Sequence, residues 1–301
     1  MERVLITGGS GLVGQQLTQL LMDSGYAVRH LNRSKRAGSS IDTATWDVNK
    51  GTVSAGAFDG VDHIVHLAGA GIADKRWTPE RKKLLIDSRA NTSKLLFESW
   101  KASGQPLKSF VSASAIGIYG MKTTNTVFVE SDPASDMYIS KICVEWEKAA
   151  ERFVEAGIRT AIIRIGVVLT PTGGALETMA KPVRFGAGAA IGSGKQWLPW
   201  IHVRDLCRQF AMAIEHPSWE GVYNGVAPNP VTNKEFTKML GRVLKRPVFL
   251  PNVPGFLLKL AMGEMAQIAL EGSRVSAEKA LNAGMKFEFD NAEVALRDLL
   301  T

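Results

Sequence analysis

An α/β fold built on a doubly wound parallel sheet is predicted by three observations. Apolar strand-like runs alternate with amphipathic helix-like segments through the first two-thirds of the 301 residues. The first run, Val4-Leu5-Ile6, breaks on glycines at positions 8, 11 and 14 and continues at once as a helix pattern. After about Thr170 the texture changes, and glycines and prolines punctuate the chain. Strands that alternate with helices pair in parallel with right-handed crossovers, and ligands then gather at the carboxyl ends of the strands.

The elements follow in order. Val13, Leu17, Leu20 and Leu21 recur at helical spacing, and Gly25 is a natural stop. Tyr26 to Asn32 reads as the second strand, and Val61 to Leu67 as a further apolar strand ending in Ala68-Gly69. Pro79 to Trp100 is a long helical pattern, Ser109 to Ser114 a strand, Val144 to Ala156 a helix and Thr160 to Leu169 another strand. Residues 1–227 form the expected main domain, with 170–200 contributing to a smaller lobe. Residues 228–301, with prolines at 228, 230, 247, 251 and 254, form the expected C-terminal α/β lobe on the substrate side.

A strand, a glycine turn and a helix make a site for a dinucleotide pyrophosphate. Glycine permits unusual backbone angles and close approach, and a helix N-terminus favours negative charge. The second strand refines the cofactor. A site for NAD carries Asp or Glu about 20 residues on, to bind the ribose 2′-hydroxyl. This chain has uncharged Asn32 there, followed by Arg33-Ser34-Lys35-Arg36. A guanidinium suits a 2′-phosphate and no carboxylate repels it, so NADP(H) is expected over NAD(H).

Composition narrows the class. Hydrophobic residues make up 45% and charged residues 22%, as in ordinary globular proteins. The formal charge of +7 favours an anionic small molecule, but the basic residues are dispersed and no nucleic-acid module is visible. Two cysteines, Cys143 and Cys207, without a C-x-x-C pair fit a reducing compartment. Five histidines form no metal-ligand spacing, so no metal is expected. No signal peptide is read before the first strand, and a cytoplasmic location is expected. Phe256 to Leu270 is apolar but short, and it contains Lys259 and Glu264. It reads as a buried or interfacial helix rather than a span, and no membrane partner is expected.

Longer motifs carry a family resemblance. They include Leu67-Ala68-Gly69, Ile72 to Thr78, Ser88-Arg89, Arg164 to Leu169, Gly173-Gly174, Ile191 to Gln196, Trp200 to Val203 with Asp205, and the run Pro254 to Gly284. With these the chain resembles the extended short-chain dehydrogenase/reductase superfamily, the NAD-dependent epimerase/dehydratase group. It is most similar to the YfcH-like epimerase-family branch with its small C-terminal domain. The resemblance implies a Rossmann-type sheet. It implies that Gly8, Ser10, Gly11, Leu12 and Val13, with Gly14 closing the motif, cradle the pyrophosphate. Asn32 and Arg33 would meet the 2′-phosphate, and Leu67, Ala68 and Gly69 would run along the ribose and adenine. Arg89 would offer its donor fork near the cofactor. Relatives in the superfamily often dimerise through helices near Pro79–Trp100 and Val144–Ala156.

The catalytic pattern of that superfamily is a Ser or Thr with Tyr-x-x-x-Lys, whose Tyr and Lys share a helix face. Here Tyr138 is followed at the fourth position by Ile142, and Lys141 lies at the third. Ser114 lies five positions before Tyr119, where four is usual. Ser114, Tyr138 and Lys141 are the candidate catalytic set. Lys75, Arg76 and Trp77 could clamp a substrate, and Arg184 and Lys195 would suit a diphosphate. His66 and His202 read as structural. The expectation is an NADP(H)-dependent oxidoreductase or epimerase-like enzyme acting on a small, nucleotide-sugar-like or otherwise anionic substrate. The alternative is an NADPH-binding sensor or scaffold without turnover.

Overall fold

The computed structural model describes residues 1–35, 38 and 40–301, so Arg36 lies outside the described residues. Its central sheet has eight strands. In chain order they begin with β1 (Arg3–Thr7), β2 (Ala27–Asn32), β3 (Asp42–Asp47), β4 (Thr52–Val53), β5 (His63–His66) and β6 (Ser109–Ala115). Arg159–Ile165 and Gly221–Gly225 complete it. Across the sheet the order is Gly221–Gly225, Arg159–Ile165, β6, β5, β1, β2, β3, β4. Every pairing is parallel except the terminal β3–β4 hairpin. The chain leaves β1 toward β2 on one side and returns through β5 on the other. The strand order therefore reverses between β1 and β5, which opens a crevice at their carboxyl ends.

The helices form where the sequence supplies starts and stops. Helix α1 (Leu12–Asp23) buries Gly14, Leu17, Thr18 and Leu21 and ends before Gly25, whose φ is 86°. Helix α2 (Pro79–Ser103) begins on Thr78, whose side chain accepts from the Arg81 amide, with Pro79 in the first turn. Gly104 at φ 64° ends it. Helix α3 (Tyr138–Glu155) starts well before the expected Val144, because Ile139, Ile142, Cys143 and Trp146 extend one apolar face to its first turn. Helix α4 (Gly174–Arg184) follows the glycine pair 173–174, and α5 (Val203–Glu215) is capped by His202. A full capping box, Thr232 with Glu235, opens α6 (Asn233–Val243).

One core lies on the α1/α5 face, around Ile6, Leu17, Val111, Ile163 and Phe210. The other lies on the α2/α3 face, where Phe110 stacks on Phe153 at 3.8 Å between centroids. A third core, with Leu176, Trp200, Phe236 and Leu296, holds the small lobe together. The expected cut at residue 228 is not clean. Ala280 and Met285 pack into the α1/α5 core, and Arg274–Val275 pairs with Val127–Phe128. The C-terminal segment thus stitches lobe to sheet.

Candidate functional site

The crevice between β1 and β5 is shaped by missing side chains. Gly8 has φ 72°, and a Cβ there would lie 3.0 Å from the Leu67 carbonyl carbon and the Ala68 nitrogen. A Cβ on Gly14 would lie 2.4 Å from the Gly8 oxygen and 2.7 Å from the Gly9 Cα. The two glycines let α1 sit directly on the turn and let the turn touch the end of β5. The Gly11 amide donates to the Gly8 oxygen at 3.0 Å, which closes the turn. No side chain caps α1, and its first turn carries no acid. Its amino end leaves free backbone amides, which favour an anion, beside exposed Ser10, Gly11 and Leu12, with Val13 half-buried behind them. The Leu12 side chain reaches within 3.4 Å of where a Cβ of Gly173 would stand, so the lobe's first loop abuts the same end.

Beneath the turn, His30 of β2 lies against Gly9 and meets the Thr18 hydroxyl at 2.8 Å. Burial pushes its pKa below the usual imidazole value, so it props the turn as a neutral ring. Asn32 ends β2 half-buried, and Arg33 beside it is exposed. Among the described residues Arg33 has no ion-pair partner. The nearby acid Asp42 is engaged by Arg29 at 2.6 Å. The chemistry of this rim fits an added phosphate.

On the β5 side, Thr7 and His66 are joined at 2.7 Å, and the Thr7 hydroxyl accepts from the Ala68 amide at 3.2 Å. His66 is fully buried. Burial, and then the Arg89 charge, depress its pKa to about 3. Below pH 6.5 the unfolded chain binds a proton that folded His66 refuses until about pH 3. Its contribution to stability is therefore whole above 6.5 and is lost as pH falls from 6.5 toward 3, by on the order of 5 kcal/mol. His66→Asn is expected to flatten this acid limb; an unchanged acid-unfolding midpoint by circular dichroism would contradict it.

Arg89 is only 4% exposed and its fork is already engaged. Nη1 donates to the Leu85 oxygen and Nη2 to the Ala70 oxygen, both at 2.9 Å. The guanidinium lies 4.6 Å from the Trp146 ring centroid and close under Gly69. With no carboxylate beside it among the described residues, burial lowers its pKa to about 10. Arg89 thus braces the Gly69–Ala70 segment rather than holding out a free fork. Its Nε stays without a partner.

Among the described residues no hydrogen bond joins Ser114, Tyr138 and Lys141 to one another. Ser114 is 1% exposed, and its hydroxyl donates to Glu147 Oε1 at 2.6 Å. Glu147 in turn accepts from Arg164 through Nε and Nη2, each at 2.9 Å. Arg164 Nη1 donates to the Tyr119 hydroxyl at 2.9 Å, and Tyr119 donates to Asn224 at 2.7 Å. Ser114 is thereby held in a buried network with Glu147 of α3 and with Arg164. Lys141 is exposed and makes no ion pair among the described residues. Residues three apart on a helix are offset by only about 60°, so Lys141 neighbours Tyr138 on α3, but it is exposed where Tyr138 is half-buried. Tyr138 is half-buried at the first turn of α3. Its hydroxyl donates to the Lys82 oxygen at 2.7 Å, and its ring meets Trp77 edge-on at 5.3 Å. Burial raises its pKa to about 12 against the weaker pull of Arg89 and Arg81.

Sequence reading missed the Glu147–Arg164 pair. Its signal was present, since both positions fall on otherwise apolar faces. The basic loop after β5 is also tied down. Arg76 donates to the Leu260 oxygen at 3.1 Å, Lys82 pairs with Glu264 at 2.5 Å, and the Trp77 indole donates to the Ile72 oxygen at 3.0 Å. Lys75, Arg184 and Lys195 are exposed. His202 caps α5 and stacks on Phe289 at 3.8 Å, a structural position. Among the described residues no group of His, Cys, Asp or Glu could hold a metal.

A parallel sheet with a glycine turn at its switch point, under an uncapped helix N-terminus, defines a dinucleotide-binding protein of the Rossmann class. A family model described as NAD dependent epimerase/dehydratase family matches residues 4–224, and the chain belongs to that family. Residues 253–299 match a second model, Domain of unknown function (DUF1731). The chain is 40% identical to an epimerase family protein SDR39U1 homolog, chloroplastic, of Arabidopsis thaliana, over 99% of this chain and 86% of that one. It is 35% identical to epimerase family protein YfhF of Bacillus subtilis, over 99% and 97%. Among solved structures it resembles human epimerase family protein SDR39U1 (isoform 2), crystallised with NADPH. There the TM-score is 0.88 and the identity 34%, covering 99% and 98% of the two chains. A Thermus thermophilus UDP-glucose 4-epimerase, 21% identical with a TM-score of 0.78, shares the fold.

Proposed function

We propose that this protein binds NADP(H) and is an oxidoreductase of the extended short-chain class, acting on a small anionic compound that bears a hydroxyl or carbonyl group. The observation that carries the cofactor half is the Gly8–Gly14 turn beside a β2 end that carries Asn32 and exposed Arg33 in place of an acid. The NADPH in the human relative's structure supports it. When bound, the cofactor supplies a hydride from its nicotinamide. The α1 amides and Ser10 hold the pyrophosphate, and Asn32 and Arg33 hold the 2′-phosphate. Leu67, Ala68 and Gly69 line the ribose.

Tyr138 is the partly exposed hydroxyl of the candidate set and supports the chemical half. With a pKa of about 12 its phenol holds a proton at neutral pH. It can give that proton to an oxygen that gains negative charge, and it is a poor base for removing one. The exposed cation Lys75 beside the groove favours an anionic substrate.

The engagement of the Ser114 hydroxyl by Glu147 and of the Tyr138 hydroxyl by the Lys82 oxygen favours a second reading, an NADPH-binding sensor or scaffold with little turnover. A panel of carbonyl and nucleotide-sugar compounds, followed by NADPH absorbance, separates the two. The enzyme reading expects a substrate whose kcat falls about a hundredfold in Tyr138→Phe. Tight NADPH binding with no turnover across the panel would leave the sensor.

Arg33→Glu is expected to weaken NADPH binding at least about tenfold, through loss of a charge-assisted contact, and to leave NADH binding nearly unchanged. Parallel fluorescence titrations check this. Equal losses for both coenzymes would remove the 2′-phosphate from Arg33.

A further inference from the structure

Helix α7 (Gly255–Met262) has the sequence GFLLKLAM, and none of its residues is buried. The expected segment Phe256 to Leu270 is thus divided: its α7 part has no buried residue, while Met265 and Ala266 beyond it are buried. Phe256 is 68% exposed and Leu260 76%. They are not isolated. Phe185 at the end of α4 is 80% exposed and Phe249 is 74% exposed. All the exposed phenylalanines among the described residues lie in this lobe. The segments that carry them are joined. A Cβ on Gly188 would lie 3.1 Å from both Val183 and Val248, Ile191 bridges Val253, and α7 begins two residues on.

Charge along these two stretches of the chain has one sign. No Asp or Glu occurs between Glu177 and Asp205, or between Glu235 and Glu264. Lys181, Arg184, Lys245, Arg246 and Lys259 are exposed and form no ion pair among the described residues. They alternate with the apolar side chains: Arg184 adjoins Phe185, Lys259 adjoins Leu260, and Arg246 precedes Phe249 by three. The nearest acid, Glu264, is held by Lys82.

We propose that this edge of the small lobe docks on an anionic lipid bilayer. Leu and Phe seat at the acyl boundary, while Lys and Arg stay at the phosphate level. A second copy of this chain would bring the unpaired Lys181, Arg184, Lys245, Arg246 and Lys259 of both copies together, which like-charge repulsion opposes. Among the described residues no helix is long and apolar enough to cross a membrane, so the contact is peripheral. Arg76 and Lys82 hold α7 and Glu264 against the loop after β5, so docking places the mouth of the groove near the lipid surface. The expectation of no membrane partner rested on the lack of a spanning segment, which does not bear on an interfacial one.

Vesicle flotation tests the proposal. The full chain is mixed with phosphatidylcholine vesicles, or with phosphatidylcholine–phosphatidylglycerol vesicles, at low and high NaCl. Binding is expected to be at least about tenfold stronger to the anionic vesicles and to fall with salt. Phe256→Asp with Leu260→Asp should lower it about tenfold or more, and Arg246→Glu with Lys259→Glu should do the same. Both double variants should keep the wild-type circular dichroism and NADPH affinity. The proposal is overturned if wild type does not float with anionic vesicles, or if either folded variant floats as well as wild type. It is equally overturned if vesicle binding is absent and light scattering finds a dimer that the Phe256/Leu260 variant dissociates.

Discussion

Gly14→Ala raises the Kd for NADPH by about two orders of magnitude. The added methyl would stand 2.4 Å from the Gly8 oxygen and within 3 Å of two Gly9 backbone atoms. Backbone cannot swing aside as a side chain can, so α1 must retreat from the turn, and such overpacking costs about 1–3 kcal/mol. The amides that meet the pyrophosphate ride on that first turn. Losing two charge-assisted bonds at about 1.5 kcal/mol each gives roughly a hundredfold in affinity. Gly11→Ala is the matched comparison. Its Cβ would meet only the Gly8 oxygen, at 3.3 Å, and about tenfold or less is expected. Isothermal titration measures both. A Gly14→Ala protein that binds NADPH like wild type would show that the cofactor does not sit on this turn.

Arg164→Met costs stability rather than cofactor affinity. Arg164 and Glu147 are 7% and 11% exposed at their side chains and pair through two parallel bonds. Removing the guanidinium leaves a buried carboxylate, and it also strips a donor from Tyr119 and from the Glu130 oxygen. Breaking such a pair costs about 3–5 kcal/mol. Against a total near 5–15 kcal/mol this is a large share, and a fall in Tm of about 10 °C is expected. Pairing Arg164→Met with Glu147→Gln removes the stranded charge and should recover more than half of the loss. NADPH affinity should move by less than about threefold, since neither side chain lines the groove. Calorimetry and titration on the three variants decide it. An additive double variant would mean that the pair carries no coupling.

Gly8, Gly11 and Gly14 are legible because their reason is local: a strand end, a turn and a helix start lie within a dozen residues. Thr78-Pro79 and Gly104 bound α2 for the same reason. The polar strand β3, Asp42–Asp47, escaped notice because its alternation is weak and its burial comes from pairing with β2. The start of α3 was read late because Tyr138 to Val144 carries its apolar face without a capping side chain. Ser114 was read as groove-facing from its place at a strand end. Its direction depends on Glu147, thirty-three residues on, and on Arg164 beyond that.

The amino-acid order alone determined the parallel sheet, the glycine turn and the absence of an acid beside Asn32, since each depends on neighbours a few bonds apart. Only the folded chain decided that Ser114 serves a buried ion pair, that Arg89 braces a turn, and that α7 lies uncovered. Those outcomes depend on which surfaces meet across many intervening residues. Local periodicity cannot say whether an apolar face will find a partner.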